Sequence, residues 1–384
     1  MMDFLPNDDE QRIHALALGY ARTVLDGRAA EHDSGVFPLQ SVREMARLGL
    51  MGVKVPVAHG GLGGSNVAFA MALREIASAC ASTAVTMAVT NMVADMIVMF
   101  GSDSQKARYL PHINDGTFAA AAFALSEPAF GSDAGGLQCK AVRSDDGSHY
   151  TLTGSKMWIT SGDVAGVILV MARTTEGSSA SGVSAFLVEP DLPGFSVGRH
   201  EKKMGLRGSS TVSLNFDGVR LPAAALLGGE GMGFRIAMTA LDGGRYAIGA
   251  QALGIASSAM VEVLGHLEQR RKADKALGTD QGVAFRIADM ATRMEAGWLM
   301  VLQAAALRDA GKPVTRRAAM AKVFATEAAN FVCQRAVNLL GAHGVMDHSR
   351  SARAFRDVRV SRIYEGTSEI QRLVIGRDLA RSAA

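Results

Sequence analysis

The spacing of apolar and polar residues changes twice along the chain. From residue 8 to about 120 the apolar positions recur at helical spacing, as in "LQSVREMARLGL" (39–50). "PVAHGGLGGSN" (56–66) interrupts that pattern with glycines, and a long apolar helix is expected to cover 76–100. No strand pattern stands out in this block. From about 121 the period shortens to two: in "TVSLNF", Val212, Leu214 and Phe216 alternate with polar neighbours, and "GVILVMART" and "VSAFLVEP" read the same way. "SDDGSH" (144–149) reads as a hairpin turn, and the strand-rich block ends near "VRLP" (219–222). After "LLGGEGMG" the helical period returns over 233–273, 282–311 and 314–340, lengths that suit an antiparallel bundle. The expectation is a mainly α chain with a β-domain: helices over 1–120, a small β-domain over 121–226 and a helix bundle over 227–384.

Composition adds to this picture. A length of 384 residues predicts two or three packed units sharing an interior. A hydrophobic content of 48% and a mean hydropathy of +0.13 point to an oligomer. The run 76–100 is long enough to span a bilayer, but Thr83, Thr86, Thr90, Asn91 and Asp95 interrupt it, so it reads as a buried helix without stable membrane insertion. Forty basic and 37 acidic residues are spread without a basic run, which argues against nucleic acid. Cys80, Cys139 and Cys333 lie far apart, so neither disulfides nor a thiolate metal site is implied, and His343 and His348 lack metal-ligand spacing. A reducing compartment fits: cytoplasmic, or a mitochondrial matrix for a mature eukaryotic form. "MMDFLPNDDEQR" turns acidic at once and reads as neither signal peptide nor presequence. "GGLGGS" (60–65) has no preceding strand and no following lysine, so it reads as a surface loop.

One short stretch carries candidate chemistry. In "RIYEGTSEIQR" (362–372), Gly366 is a poor helix former, and Ser368 with Gln371 makes a capping box for a final helix over 369–381. Glu365 therefore sits at a junction, beside apolar Ile363 and Tyr364. Partial desolvation there would raise its pKa toward the range of a general base. The alternative is a glutamate that caps a helix or pairs with an arginine such as Arg362.

Taken together, "FALSEPAFGSDAGG" (123–136), "KMWITSG" (156–162), "KMGLRGSST" (203–211), "GEGMGFRIAMTALDGGR" (229–245), "AVNLLGAHGV" (336–345) and "RIYEGTSEIQR" resemble the signatures of the acyl-CoA dehydrogenase family, in order and across essentially the whole chain. The resemblance implies an N-terminal helical domain, a middle β-barrel-like domain and a C-terminal four-helix bundle, assembled as a homotetramer. It implies FAD as cofactor, an acyl-CoA as substrate and an electron-transfer flavoprotein as acceptor, with a trans-2-enoyl-CoA as product. Glu365 takes the role of the base that removes the α-proton while a β-hydride leaves to flavin N5. Its backbone amide would help hold the enolate oxygen, and Gly366 would leave room for the thioester. Some members instead carry the base just before a bundle arginine, but that position, before Arg245, is Gly244.

By the same resemblance Phe123, Leu125, Ser126, Ser132, Trp158, Ile159 and Thr160 line the flavin, although a tryptophan in a strand is otherwise a core residue. Asn338, Leu339, Gly341 and Ala342 would meet its adenine dinucleotide portion across a subunit interface, Thr367 and Glu369 would serve the same cofactor, and Arg270 and Gln281 would be further contacts to it. Ser132, Asp242, Arg245 and Gly366 fall at substrate positions. Asn338 and Ala342 are mild departures from the family pattern; Ala273, Asp274 and Asp280 in "RRKADKALGTDQ" are larger ones. Gly243 and Gly244, adjacent within a helix, ask for a close approach by the substrate or by another helix. Met87, Met92, Met96 and Met99 read as core packing or as the wall of an acyl pocket. "TALDGGRYAIGAQALGIA" (239–256) looks most like short-chain and short branched-chain members. Two alternatives remain: other flavin chemistry on this fold, of the desulfinase or nitroalkane oxidase type, and a non-catalytic partner subunit.

Overall fold

The computed structural model describes residues 5–175, 180–273 and 280–382. Asn7 opens the first helix, α1 (Asp8–Tyr20), with a reciprocal capping box to Glu10. A π-helical turn joins it to α2 (Asp26–Asp33), and α3 (Leu39–Arg47) follows. The glycine-rich stretch is the expected loop and ends at Ser65, whose hydroxyl caps α4 (Asn66–Ala79). The single apolar helix expected over 76–100 is instead broken: Cys80 is extended (φ −146°, ψ 107°) and separates α4 from α5 (Ala81–Phe100). The Cys80 thiol accepts from the Thr83 hydroxyl at 3.1 Å and meets His32 Nδ1 at 3.4 Å, contacts invisible to an apolar pattern that runs unbroken through the join. The polar residues of α5 are satisfied internally; Asn91 accepts from Val53 N–H at 2.8 Å and donates to Leu50 O at 2.9 Å. Of the four methionines, Met87, Met92 and Met96 are buried and Met99 is exposed. The capping box of Ser102 and Gln105 then starts α6 (Asp103–Asn114).

Among the described residues eight strands follow in one sheet: β1 (Ala120–Ala124), β2 (Lys140–Arg143), β3 (His149–Thr160), β4 (Ala165–Arg173), β5 (Val183–Val188), β6 (Phe195–His200), β7 (Thr211–Pro222) and β8 (Leu226–Leu227). Their order is β6-β7-β3-β2-β4-β5-β8, with β1 parallel to β4. The expected hairpin turn joins β2 to β3, pairing Arg143 with Tyr150. The alternation expected in β7 is present, with Val212, Leu214 and Phe216 buried. β4 and β5 differ from expectation, because both of their faces are buried. Val167, Leu169 and Met171 pack into a core shared with the helices, and Ile168, Val170 and Ala172 into a second core closed by β3 and β7. A strand covered on both sides reads as a continuous apolar run.

The described residues beyond the sheet are mainly helical: α7 (Gly233–Ala273), α8 (Gln281–Asp309), α9 (Thr315–Leu340), α10 (Arg350–Val358) and α11 (Ser368–Ser382). α9 packs along α7, α8 and α11, while α7 also receives α4 and α5. One apolar core thus runs from α1 through the near face of the sheet into the bundle. The apolar windows of α5 and α7 are long enough to cross a bilayer, yet 78% of each is buried within the protein. Asp280, where the family pattern has an aromatic residue, caps α8 by accepting from Gly282 N–H at 2.8 Å. Residues 274–279 of the departing segment, Asp274 included, lie outside the described residues.

Candidate active site

Glu365 stands in the tight link between the 3-10 turn Arg359–Arg362 and α11, with φ +52°; Gly366 follows at φ +88°. A glutamate in the left-handed region is strained, and neighbours must hold it there. Gln371, fully buried, donates its amide to the carbonyls of Glu365 (3.1 Å) and Gly366 (3.0 Å). Lys322 of α9, also fully buried, donates to the Gly366 carbonyl at 2.6 Å. The expected Ser368–Gln371 capping box is therefore absent. Thr367 takes the cap, its hydroxyl accepting from Ile370 N–H at 3.3 Å, because Gln371 is turned back onto the link.

This link presents the Glu365 side chain to α7. Oε2 is buried with no hydrogen-bond partner among the described residues, and a Cβ built on Gly244 would overlap it. Burial pushes the carboxyl up to about 7, against the pull of Lys322 and then Arg245. Pairing with Arg362 does not occur, since Arg362 meets Glu327 at 2.9 Å. The Glu365 N–H has no hydrogen-bond partner among the described residues either. Arg245 is buried against Asp242, which also accepts from the Thr315 hydroxyl at 2.7 Å. Each of the two helix glycines has its own reason: a Cβ at Gly243 would lie 3.0 Å from the Arg308 guanidinium, and Gly244 faces Glu365.

A second group of residues gathers at the edge of the sheet. The β3–β7 register slips between Lys156 and Ile159, and at this bulge Trp158 takes φ +60° and stands 55% exposed. A tryptophan so placed is not a core residue; the bulge has turned it outward. Ser126 O accepts from Met157 N–H at 2.9 Å, and the loop carrying exposed Ser132 passes Trp158 at Gly131. Phe123 on β1 and Thr160 on β3 are both half-buried, on strands that lie against each other. The Leu125 and Ile159 side chains are buried in the two cores, so only their backbones can face a ligand.

Two charged residues within the quoted motifs escaped the sequence reading. Glu127 and Lys156 form a buried ion pair at 2.8 Å; Glu127 also accepts from the amides of Gln138 (2.6 Å) and Cys139 (2.9 Å), and Lys156 donates to Leu125 O at 3.1 Å. The pair staples the 125–127 segment to β3 behind Trp158. Its signal was available: Lys156 falls in phase with Tyr150 and Leu152, the inward positions of β3. Lys322 was likewise legible as a lysine at helical spacing with buried Ala318, Ala325 and Ala329.

The sheet-edge group and Glu365 are linked by α7. The 131–136 loop packs on Phe234 at its start, and Gly244 lies ten residues on, about 15 Å along the axis. Arg270 is a further 26 residues away, about 39 Å, and the nearby contact of His266 with His343 puts 338–342 at that same far end. Arg270, Gln281, Asn338, Gly341 and Ala342 are exposed there and Leu339 half-buried, so within one chain they do not join the Trp158 edge. Thr367 and Glu369 sit beside Glu365 instead.

A desolvated carboxylate opposite a notched helix is the arrangement of a general-base site, and the same helix begins against the loop that passes the exposed Trp158. Family models agree: the N-terminal, middle and C-terminal domains of acyl-CoA dehydrogenase match residues 7–117, 122–219 and 231–380. The chain is 40% identical to an acryloyl-CoA reductase (NADH) of Anaerotignum propionicum over 99% of its own length and 96% of that protein's. It superposes on butyryl-CoA dehydrogenase of Megasphaera elsdenii with a TM-score of 0.95 at 38% identity, covering 99% and 100% of the two chains. A glutaryl-CoA dehydrogenase of Mycobacterium smegmatis, solved in complex with FADH2, aligns with a TM-score of 0.90 at 29% identity, covering 99% and 96%. The chain belongs to the acyl-CoA dehydrogenase family.

Proposed function

We propose that this protein is a short-chain acyl-CoA dehydrogenase that uses FAD, with Glu365 as the base that removes the α-proton of the acyl thioester. The observation that carries the reading is the Glu365 carboxylate: desolvated, unpaired at Oε2 and seated over Gly244. Bound FAD would supply the acceptor for the β-hydride, and the open edge of Phe123, Ser126, Ser132, Trp158 and Thr160 fits a flavin ring. Everything else falls to the chain itself. An α-proton beside a thioester is very weakly acidic, so the carboxylate needs a dry site and a donor for the developing enolate oxygen. The unengaged Glu365 N–H is such a donor. Gly366 adds no side chain in the path, and Gly244 leaves the base its space. Asp242 and Arg245, which flank Gly244 on α7, form with Thr315 of α9 a polar cluster suited to the CoA arm.

Arg270, Gln281 and 338–342 fit the same reading if a second subunit brings them to the cofactor. That agrees with a homotetramer and with exposed Phe285 (65%) and Val345 (63%) on the bundle. The proposed units are 1–120, 121–226 and 227–384, the proposed acceptor an electron-transfer flavoprotein and the proposed compartment the cytoplasm. Similarity to a short-chain butyryl-CoA dehydrogenase favours an acyl group of about that size. A second reading, favoured by similarity to an acryloyl-CoA reductase, runs the site in reverse, with Glu365 returning a proton to the α-carbon of an enoyl-CoA.

Anaerobic titration with straight and branched acyl-CoAs, watching the oxidised-flavin absorbance, tests the proposal. Bleaching by short acyl-CoAs is expected. A yellow protein that none of them bleaches would overturn it, and enoyl-CoA reduction with NADH would select the reverse direction.

A further inference from the structure

We propose that Lys322 is a positioning residue for the Glu365 base, holding the left-handed link through the Gly366 carbonyl and supplying the positive charge that keeps the carboxylate ionised. The inference rests on the reading of Glu365 as base. Its starting point is a redundancy: the Gly366 carbonyl already accepts from Gln371 at 3.0 Å, and Lys322 donates to the same oxygen at 2.6 Å. A second neutral donor would clamp the link as well. A buried ammonium is far costlier to desolvate, so its charge needs a use.

The charges around Glu365 identify that use. From α7, Arg245 faces it but is paired with Asp242. From α8, Arg308 is paired with Asp95 at 3.0 Å. From its own segment, Tyr364 is neutral and donates to Gln251 at 2.7 Å, and exposed Glu369 meets Arg372 at 3.6 Å. From α9, Glu327 is paired with Arg362. Lys322 forms no ion pair among the described residues; its ammonium rests on the Gly366 carbonyl, next in the chain to Glu365, whose negative charge pulls the lysine pKa up against the burial that lowers it. Among the described residues Lys322 is thus a cation held beside the base that no other carboxylate pairs with. It stabilises the resting carboxylate, and once the α-proton has been captured its unbalanced charge favours release of that proton.

The test compares Lys322→Met, Lys322→Gln and Gln371→Leu with the unmodified holoenzyme. Two readouts are followed against pH: the infrared carboxylic-acid band that Glu365→Gln lacks, and kcat/KM for butyryl-CoA. Removing the charge should raise the Glu365 midpoint by about one pH unit or more in both lysine variants. Gln371→Leu should lower kcat with the midpoint in place, as loss of a purely structural clamp would. Lys322→Gln keeps a donor and is the deciding variant if Lys322→Met does not fold. An unmoved midpoint in Lys322→Gln overturns the inference. The infrared readout needs no turnover, so a midpoint that moves in a protein no acyl-CoA bleaches would sink the dehydrogenase reading while the Lys322–Glu365 coupling stands.

Discussion

The Glu365 carboxylate occupies the space that any side chain at Gly244 would need. The two residues lie 121 positions apart, one in a strained link and the other in the first third of a 41-residue helix. Position 244, just before Arg245, is also where some family members carry their base. In this chain a side chain at 244 and the Glu365 carboxylate would compete for the same space.

Gly244→Ala should therefore separate stability from activity. Alanine favours a helix interior by about 1 kcal/mol over glycine, while its Cβ would displace the carboxylate. The expected result is an unchanged or slightly raised melting temperature, retained flavin and a fall in kcat of about 100-fold, a loss comparable to that of a misplaced catalytic group. Thermal melts and steady-state kinetics check it.

Glu365→Gln should keep flavin and ligand binding and lower turnover by about 100- to 10,000-fold, the range for a positioned base. In the unmodified enzyme kcat/KM should rise with pH through about 7, because the base works deprotonated and its carboxyl is held up there by burial. A profile that is flat from pH 5 to 8 would show that another group takes the proton.

The same shift has a stability consequence. The folded carboxyl titrates at about 7 and the unfolded one at 4.5, so the folded state binds more protons between those values. That contribution is fully present below pH 4.5 and is lost as pH rises through 7, on the order of 3 kcal/mol in all. The stability of Glu365→Gln relative to the unmodified protein should accordingly improve from pH 5 to pH 8 in chemical denaturation.

Trp158→Gly should relieve a left-handed tryptophan and remove little buried surface, leaving apoprotein stability equal or higher by about 1 kcal/mol. Its cost should fall on the cofactor, with flavin affinity reduced at least tenfold in a fluorescence titration.

Lys156→Met should behave in the opposite way, destabilising the fold by about 3 to 5 kcal/mol by leaving Glu127 buried without its cation. Urea unfolding of the apoprotein reads this directly.

Local pattern was enough to place the helix–sheet–helix order, the β2–β3 hairpin, the alternation of β7 and the limits of α7 to α9, because each depends on neighbours a few residues apart. The motif strings named Glu365 and Trp158 for the same reason. Pattern failed where a distant contact decided the outcome. Cys80 breaks the α4–α5 join through Thr83 and His32, and β4 and β5 lose their alternation because helices cover the face that the rest of the sheet does not. Gln371 leaves its capping role to hold Glu365 and Gly366. The sequence by itself determined which residues are candidates for chemistry and on what kind of element each sits. Only the tertiary structure decided that the carboxylate would be dry, unpaired and set between Gly244 and Lys322, since desolvation and close approach are properties of the packed chain and not of any stretch within it.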